Sequence, residues 1–393
     1  MRVILHIDVN NAFLSWTALY LLEHGSKYDI RDSFAVVGGD ESRRHGIVLA
    51  KSMKAKKLGI KTAETLASAR KKCKALSIYP PNYKYYQKKS NQLFKLLSEY
   101  TPDIEIASID ECYLDFTNIS WIYKDPYEFA KMVQKRILDE LGFTVNIGIA
   151  NNKLCAKMAS DFLKPDRVHT LFDYEVIDKM YPLPIGDLYG IGKKTSEKLK
   201  RLNINTIGDL ANYDVNILSK YFKNQAGRMI DSAKGIDDSI IITKRSERIS
   251  ISKSITLPYN LNNVDDINKV LYNLVKSICD SLKNHGKYAS VVGVQLKDKN
   301  FISYSHQKKL LNVSNNVDDI YELVKKIVKE MYRDEPVRLV GVSINKIVSN
   351  NNYQISMFDN IEDKEIDYKL DKVIAQINKS YGNNIVSKGI KKE

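Results

Sequence analysis

Three acidic residues stand where chemistry is most readily built. Asp8 closes a short apolar run that begins near Arg2, and Asp110 and Glu111 interrupt the alternating stretch from Ile104 to Phe116. Carboxylates brought together repel one another unless cations neutralise them. Hard divalent ions with oxygen ligands, Mg²⁺ above all, are the expected solution. Adjacent side chains on a flat strand point to opposite faces, so Asp110 and Glu111 can share an ion only at a bend. Their spacing also fits an ordinary acidic turn, with Asp8 as a helix N-cap.

The elements that must position these acids follow from apolar periodicity. Residues 2–8 read as a strand that delivers Asp8 to the mouth of a helix over 12–22. A strand over 33–37 leads into Gly38-Gly39-Asp40-Glu41, then a Lys-rich helix over 51–61 and a helix over 93–100 that ends before Pro102. Residues 104–116 read as two strands with a tight turn near the acids, followed by a helix over 129–141, a strand over 144–150 and a helix over 152–162 stopped by Pro165. That order predicts one α+β domain, an antiparallel sheet with helices on one face. Residues 166–238 are short helices punctuated by glycine. Strands at 248–255, 289–296 and 338–347 with helices at 265–282 and 317–331 then predict a β-α-β-β-α-β unit.

Composition narrows the class. At 393 residues the chain holds several domains, since a domain takes about 100 to 200 residues. Its 61 Lys+Arg against 47 Asp+Glu leave +14, which points to a polyanion, either nucleic acid or an anionic membrane. Residues 240–350 hold 18 Lys+Arg against 11 Asp+Glu, half of that excess. No run approaches the roughly 18 apolar residues that cross a bilayer, and His6, Asp8, Asn10 and Asn11 break the apolar start that a signal peptide needs. A cytoplasmic protein with no membrane partner is expected. The 4 cysteines are far apart and suit a reducing compartment better than a disulfide or zinc framework.

Longer strings add a resemblance. Ile7-Asp8-Val9-Asn10-Asn11-Ala12-Phe13, Ser108-Ile109-Asp110-Glu111-Cys112-Tyr113-Leu114-Asp115 and Val145-Asn146-Ile147-Gly148-Ile149-Ala150-Asn151-Asn152-Lys153, then Ala156-Lys157 and Lys164-Pro165, resemble the Y family of translesion DNA polymerases, in that family's order and spacing. The resemblance covers residues 1–350. It implies an α+β right-hand polymerase: a ferredoxin-like palm (1–11 and 78–165), small fingers (12–77), a helical thumb (166–238), a little finger (245–348) and a C-terminal tail (349–393). It further implies a monomeric template-directed DNA polymerase that extends a primer–template with deoxynucleoside triphosphates. Asp8 and Asp110 would bridge two Mg²⁺ ions, Glu111 would complete the site, and the Val9 carbonyl would ligate the nucleotide-bound ion. Lys164 matches the family's phosphate-binding lysine. Phe13, five residues after Asp8, matches its steric gate against a 2′-hydroxyl, although a phenylalanine opening an apolar helix is otherwise simply core. The fingers of the family carry a tyrosine and an arginine on one helix, and here those positions hold Met53 and Lys56. Lysine keeps the charge without the bidentate fork, and Lys56 reads equally well as a solvated lysine.

Three further strings complete the reading. Leu188-Tyr189-Gly190-Ile191-Gly192-Lys193-Lys194 resembles a helix-hairpin-helix, whose glycines bring backbone N–H groups up to a DNA phosphate. Lys253 and Lys297 are candidate DNA contacts in the basic 245–348 unit. Gln354-Ile355-Ser356-Met357-Phe358 resembles the peptide by which bacterial polymerases dock on the sliding clamp, against the alternative that Met357 and Phe358 pack on a last amphipathic helix. Two rival functions stand beside the polymerase. One is a catalytically idle DNA- and clamp-binding protein of the same fold. The other is a diguanylate cyclase, suggested by Gly38-Gly39-Asp40-Glu41 but disfavoured by Ser42 where an aromatic is needed.

Overall fold

The computed structural model describes residues 2–41, 44, 46–244 and 249–349, with isolated positions beyond. They fall into two units, Met1–Glu247 and Arg248–Glu393. The first begins with β1 (Ile4–Val9) and α1 (Ala12–Glu23), then β2 (Ala35–Gly38), β3 (Val48–Lys51), α2 (Met53–Lys57), α3 (Leu66–Lys72) and β4 (Ser77–Tyr79). There follow α4 (Tyr83–Ser98), β5 (Ile104–Ile106), β6 (Glu111–Asp115), α5 (Ser120–Tyr123), α6 (Pro126–Leu141), β7 (Val145–Ala150), α7 (Lys153–Asp161) and β8 (Val168–Leu171). Short helices close the unit: α8 (Val176–Lys179), α9 (Lys193–Lys200), α10 (Ile207–Ala211), α11 (Val215–Phe222) and α12 (Ala226–Ala233).

Strands β5-β6-β1-β7-β8 form the main sheet, and β3-β2-β4 a smaller one. Side chains alternate across β1. Leu5, Ile7 and Val9 enter one core with Leu93 and Leu97 of α4 and Phe129 and Val133 of α6. Ile4 enters a second core with Cys155, Ala156 and Ala159 of α7, which continues into the short helices. Helices therefore cover both faces, which corrects the expectation of one. The cause is Gly148: a Cβ there would lie 2.0 Å from the Ala156 carbonyl oxygen and 2.4 Å from the Ser160 nitrogen, so its absence lets α7 lie directly on β7. The sheet is also not wholly antiparallel, since β8 runs parallel to β7 beyond residue 165.

Two helix boundaries differ from expectation for local reasons. The Lys-rich helix is only Met53–Lys57, capped by Ser52 and ended before Gly59 at φ +78°. The helix expected over 93–100 starts at Tyr83, because Asn82 caps it directly after Pro80 and Pro81.

The second unit is β9 (Ile251–Leu261), α13 (Val264–Asn284), β10 (Tyr288–Asp298), β11 (Ser303–Ser314), α14 (Val317–Met331) and β12 (Val337–Val348), the β-α-β-β-α-β order read from the sequence. Its sheet, β11-β10-β12-β9, is antiparallel throughout. Leu271, Val275 and Ile278 of α13 and Ile320, Val324 and Ile327 of α14 bury against Val292, Val294 and Val342 on one face. By alternation the other face carries Ser252, Ser254, Gln295, Lys297, Lys309 and Ser343. All four cysteines are buried and free. Among the described residues no helix is long and apolar enough to cross a membrane.

Candidate active site

Strand register builds the acidic site. Asp8 pairs with Glu111 across β1 and β6 and with Asn146 across β1 and β7. Directly opposed residues share a face, so both carboxylates lie on the face that α7 covers. Asp110 occupies the bend before β6, where its carbonyl accepts the Val9 N–H at 3.0 Å and Ala107 N–H and Ser108 N–H donate to the Glu111 carbonyl. The bend required for Asp110 to join Glu111 is thus present. The N-cap of α1 is Asn11, in the left-handed region at φ 51°, and Asp8 lies inside β1. Val9 is the last residue of that strand.

Lysines of α7 and the loop after it answer the acids. Lys157 Nζ lies 2.9 Å from Glu111 Oε2 and 3.4 Å from Asp8 Oδ2. Lys164 Nζ lies 2.5 Å from Asp8 Oδ2 and 2.7 Å from Asp161 Oδ1. Beneath them the buried His6 sets Nε2 3.3 Å from Glu111 Oε2 and Nδ1 2.8 Å from Ser160 Oγ. Asn146 Nδ2 donates to the carbonyls of Ser160 (3.0 Å) and Leu163 (2.7 Å), which pins the chain leading to Lys164 to the strand beside Asp8.

The electrostatics separate Glu111 from Asp110. The His6 ring and the Lys157 ammonium draw Glu111 down to about 2 against its burial. Burial, then the charges of Asp8 and Glu111, push Asp110 up, against the hydrogen bond from Ser108. Burial opposes the charge on Lys157 and on Lys164, but the surrounding carboxylates outweigh it and raise both. Burial pushes His6 below its usual value. Three oxygen-donor carboxylates with no thiolate among them, one destabilised by the other two, fit a hard divalent cation. Among the described residues no three acidic, His or Cys side chains already converge as a cation site; Asp8 and Glu111 are turned to the lysines.

Phe13 opens α1 half-buried, stacked on Tyr86 at 4.8 Å and 14° and met edge-on by Tyr83 at 5.9 Å. Thr17 Oγ1 donates its single proton to the Phe13 carbonyl at 2.6 Å, so the Tyr86 hydroxyl, 2.6 Å away, is the donor to Thr17. This bond fixes the ring under Phe13. Met53 and Lys56 are exposed on α2. Close to Lys56 stands Lys51, whose Nζ donates to Thr62 Oγ1 at 2.8 Å and whose carbonyl accepts from Asn11 Nδ2 at 2.8 Å. Burial and then the Lys56 charge lower the Lys51 pKa. Tyr86, Lys51, His6 and the contacts of Lys157 escaped the sequence reading.

Gly190 takes φ +89° in the turn before α9 and Gly192 caps that helix with no side-chain hydrogen bond, leaving Lys193 exposed at its first position. A Cβ at either glycine would meet nothing within 4 Å. In the second unit Lys297 lies on the face away from the helices. Lys253 instead donates to Ser277 of α13, so the structure does not bring these two lysines together. Gln354, Met357 and Phe358 lie outside the described residues.

Three family models match along the chain. The model of the impB/mucB/samB family matches residues 7–161, that of its C-terminal domain residues 248–357, and that of the IMS family HHH motif residues 175–204. The chain is 45% identical to a DNA polymerase IV of Clostridium acetobutylicum over 99% of its own length and 98% of the relative's. It is 34% identical to a DNA polymerase IV of Clostridium kluyveri over 99% and 98%, and 32% identical to DNA polymerase IV 1 of Bacillus subtilis over 100% and 94%. A solved Y-family DNA polymerase chimera superposes with a TM-score of 0.78 at 24% identity, covering 88% of this chain and 100% of its own, a likeness of fold.

Proposed function

The chain belongs to the impB/mucB/samB family, the Y-family translesion DNA polymerases, and from that premise we propose that Asp8, Asp110, Glu111 and the Val9 carbonyl hold two Mg²⁺ ions at the primer terminus. The protein is a template-directed DNA polymerase that adds deoxynucleotides to a primer 3′-end. The observation that carries the assignment of residues is the register of Asp8 against Glu111 with Asp110 at the adjoining bend. Two such ions, when bound, lower the pKa of the primer 3′-hydroxyl and stabilise the attacking and leaving oxygens of an in-line displacement at the α-phosphate.

The chain's own residues bind and orient. Lys164, 37% exposed, exchanges Asp8 for the triphosphate. Lys56, with Lys51 beside it, supplies cationic charge on the fingers side where Met53 offers no hydroxyl. Two ammoniums held in Coulomb range of each other are relieved by an anion. Phe13, backed by Tyr86, lies under the sugar and excludes a 2′-hydroxyl. Gly190, Gly192 and Lys193 present backbone N–H groups and a charge to a DNA phosphate, a contact that carries no sequence information. The helix-free face of the second unit, lined by Ser252, Ser254, Gln295, Lys297 and Ser343, suits a phosphodiester backbone: hydroxyls and amides donate hydrogen bonds and lysines add charge.

Primer extension with Mg²⁺ on normal and abasic templates tests the assignment. Asp110→Asn and Asp8→Asn should abolish extension while primer–template binding stays within a few-fold of the parent. Extension by either variant above a trace overturns the roles given to the carboxylates, and a parent that binds primer–template but never extends it favours the idle DNA-binding protein. The tail adds a partner. Gln354, Met357 and Phe358 would anchor a short peptide in the pocket of a sliding clamp, which raises effective concentration at the primer end. Alanine at all three should leave distributive extension intact and eliminate stimulation by the clamp; equal stimulation of parent and variant would favour packing of these residues on the chain itself.

A further inference from the structure

Lys157 has no counterpart in the chemistry just described, yet it is the ammonium most tightly enclosed by the site. Its side chain is 12% exposed and it reaches both Glu111 (2.9 Å) and Asp8 (3.4 Å). Its seat is fixed from two directions. Gly148 lets α7 lie directly against β7, within reach of the Ala156 carbonyl and the Ser160 nitrogen on either side of Lys157's own turn. One turn on, Ser160 Oγ donates to the Lys157 carbonyl at 2.8 Å and meets His6 Nδ1 at 2.8 Å, so the helix backbone at Lys157 is tied to the strand that carries Asp8.

We propose that Lys157 is a positioning residue that holds Asp8 and Glu111 as a preset pair and limits how tightly that pair takes a divalent cation. The inference rests on the cation reading of the carboxylates. An ammonium between two carboxylates lowers the cost of holding them close, because each oxygen gains a charge-assisted hydrogen bond. The same positive charge repels any cation those oxygens bind. Lys164 also reaches Asp8, but at 37% exposure and in the loop after α7 it can leave, whereas Lys157, on α7 itself, is only 12% exposed. Positioning and cation affinity are therefore set against each other by one side chain, and removing its charge should move them in opposite directions. A merely structural lysine would move them together or not at all.

The test measures Mn²⁺ binding to the DNA-free full chain, from the paramagnetic resonance of unbound Mn²⁺, beside primer extension at saturating metal. Lys157→Met should bind Mn²⁺ more tightly, by about tenfold for loss of an ammonium at this range. The same variant should extend primers about 10- to 100-fold more slowly, the usual cost of losing an outer support of metal ligands. Lys157→Arg should keep the parent's Mn²⁺ affinity and recover most of the rate. Should Lys157→Met fail to fold, judged by its circular dichroism, Lys157→Gln carries the same comparison. Unchanged or weaker Mn²⁺ binding in the neutral variant overturns the proposal, provided Asp8→Asn reduces Mn²⁺ binding. If Asp8→Asn binds Mn²⁺ as the parent does, the cation reading itself falls and the proposal with it.

Discussion

Gly148→Ala tests whether the seat of α7 sets the geometry of the site. The new Cβ would lie 2.0 Å from the Ala156 carbonyl oxygen and 2.4 Å from the Ser160 nitrogen, both backbone atoms that no rotamer change can move. Relaxed non-bonded contacts need roughly 3.5 Å, so α7 must lift off β7 by roughly 1.5 Å. Overpacking a close-packed core costs about 1–3 kcal/mol, and a helix backbone that cannot yield locally places this change near about 3 kcal/mol. For a unit of this size each kcal/mol lowers the unfolding midpoint by about 2–4 °C, so a fall of roughly 6–12 °C is expected. The lifted helix carries Lys157 and Ser160 away from Glu111 and His6, and a displacement of about 1 Å can cost about 100-fold in rate. Scanning calorimetry and primer extension measure the two effects. Gly227→Ala is the matched control: its Cβ meets nothing within 4 Å and it lies inside α12, so it should be neutral or slightly stabilising. A Gly148→Ala protein that melts within about 2 °C of the parent and extends primers at the parent rate would refute the argument that direct helix–strand contact fixes the site.

Two further outcomes follow from the structure. Phe13→Ala should raise ribonucleotide incorporation relative to deoxyribonucleotide, and Tyr86→Ala should do so to a smaller extent because it removes the ring stacked at 4.8 Å beneath Phe13 rather than the proposed gate; an unchanged ratio in both active variants makes Phe13 plain core. Alanine at Lys297 and Lys309 together should flatten the plot of log DNA affinity against log salt by about 2, at about 0.9 per lost phosphate contact. Lys253→Ala should leave that slope alone, since its ammonium is engaged by Ser277. Equal slopes for all three proteins would show that the helix-free face does not meet the duplex.

What the sequence revealed and what it hid divide along a physical line. Local patterns were legible: β1 and α1 around Asp8, the strand pair at Asp110-Glu111, and the β-α-β-β-α-β order of the second unit all rest on apolar periodicity within a few residues. Pairings across long sequence separations were not. Nothing near Gly148 announces that a helix will lie directly on it, so the second covered face was missed. Tyr86 stands 73 positions from Phe13, and Lys157 46 from Glu111, with no local signal to join them. Strand β11 was not located because Ser303-Tyr304-Ser305-His306-Gln307-Lys308 has almost no apolar alternation; on an edge its helix-side positions are taken by Lys308, which pairs with Glu330, and Tyr304, which packs under Arg333. Helix α4 began ten residues early for a related reason. Its first turn buries Tyr85 and Tyr86 rather than aliphatic side chains.

A single strand contributes both to the packing of the first unit and to its acidic site. In β1 the odd residues, Leu5, Ile7 and Val9, fill the core beneath α4 and α6, and the even ones, Ile4, His6 and Asp8, face α7. Because side chains alternate with period two, a slip of one residue in the β1–β6 pairing would bury Asp8 among the aliphatics and turn Ile7 to the acidic face under α7 at the same moment. The register that places Asp8 opposite Glu111 is therefore enforced by core burial and needs no support from the acids, whose mutual repulsion opposes it. Central placement adds to this, since β1 is bonded on one side to β6 and on the other to β7. The backbone under the carboxylates is thus held from both sides, while the groups that answer them, Lys164 at the loop and Ser108 in the bend, lie outside the sheet. The exchange of partners proposed for this site, from lysine to cation and triphosphate, would then need side chains alone, with the strand positions of Asp8 and Glu111 unchanged.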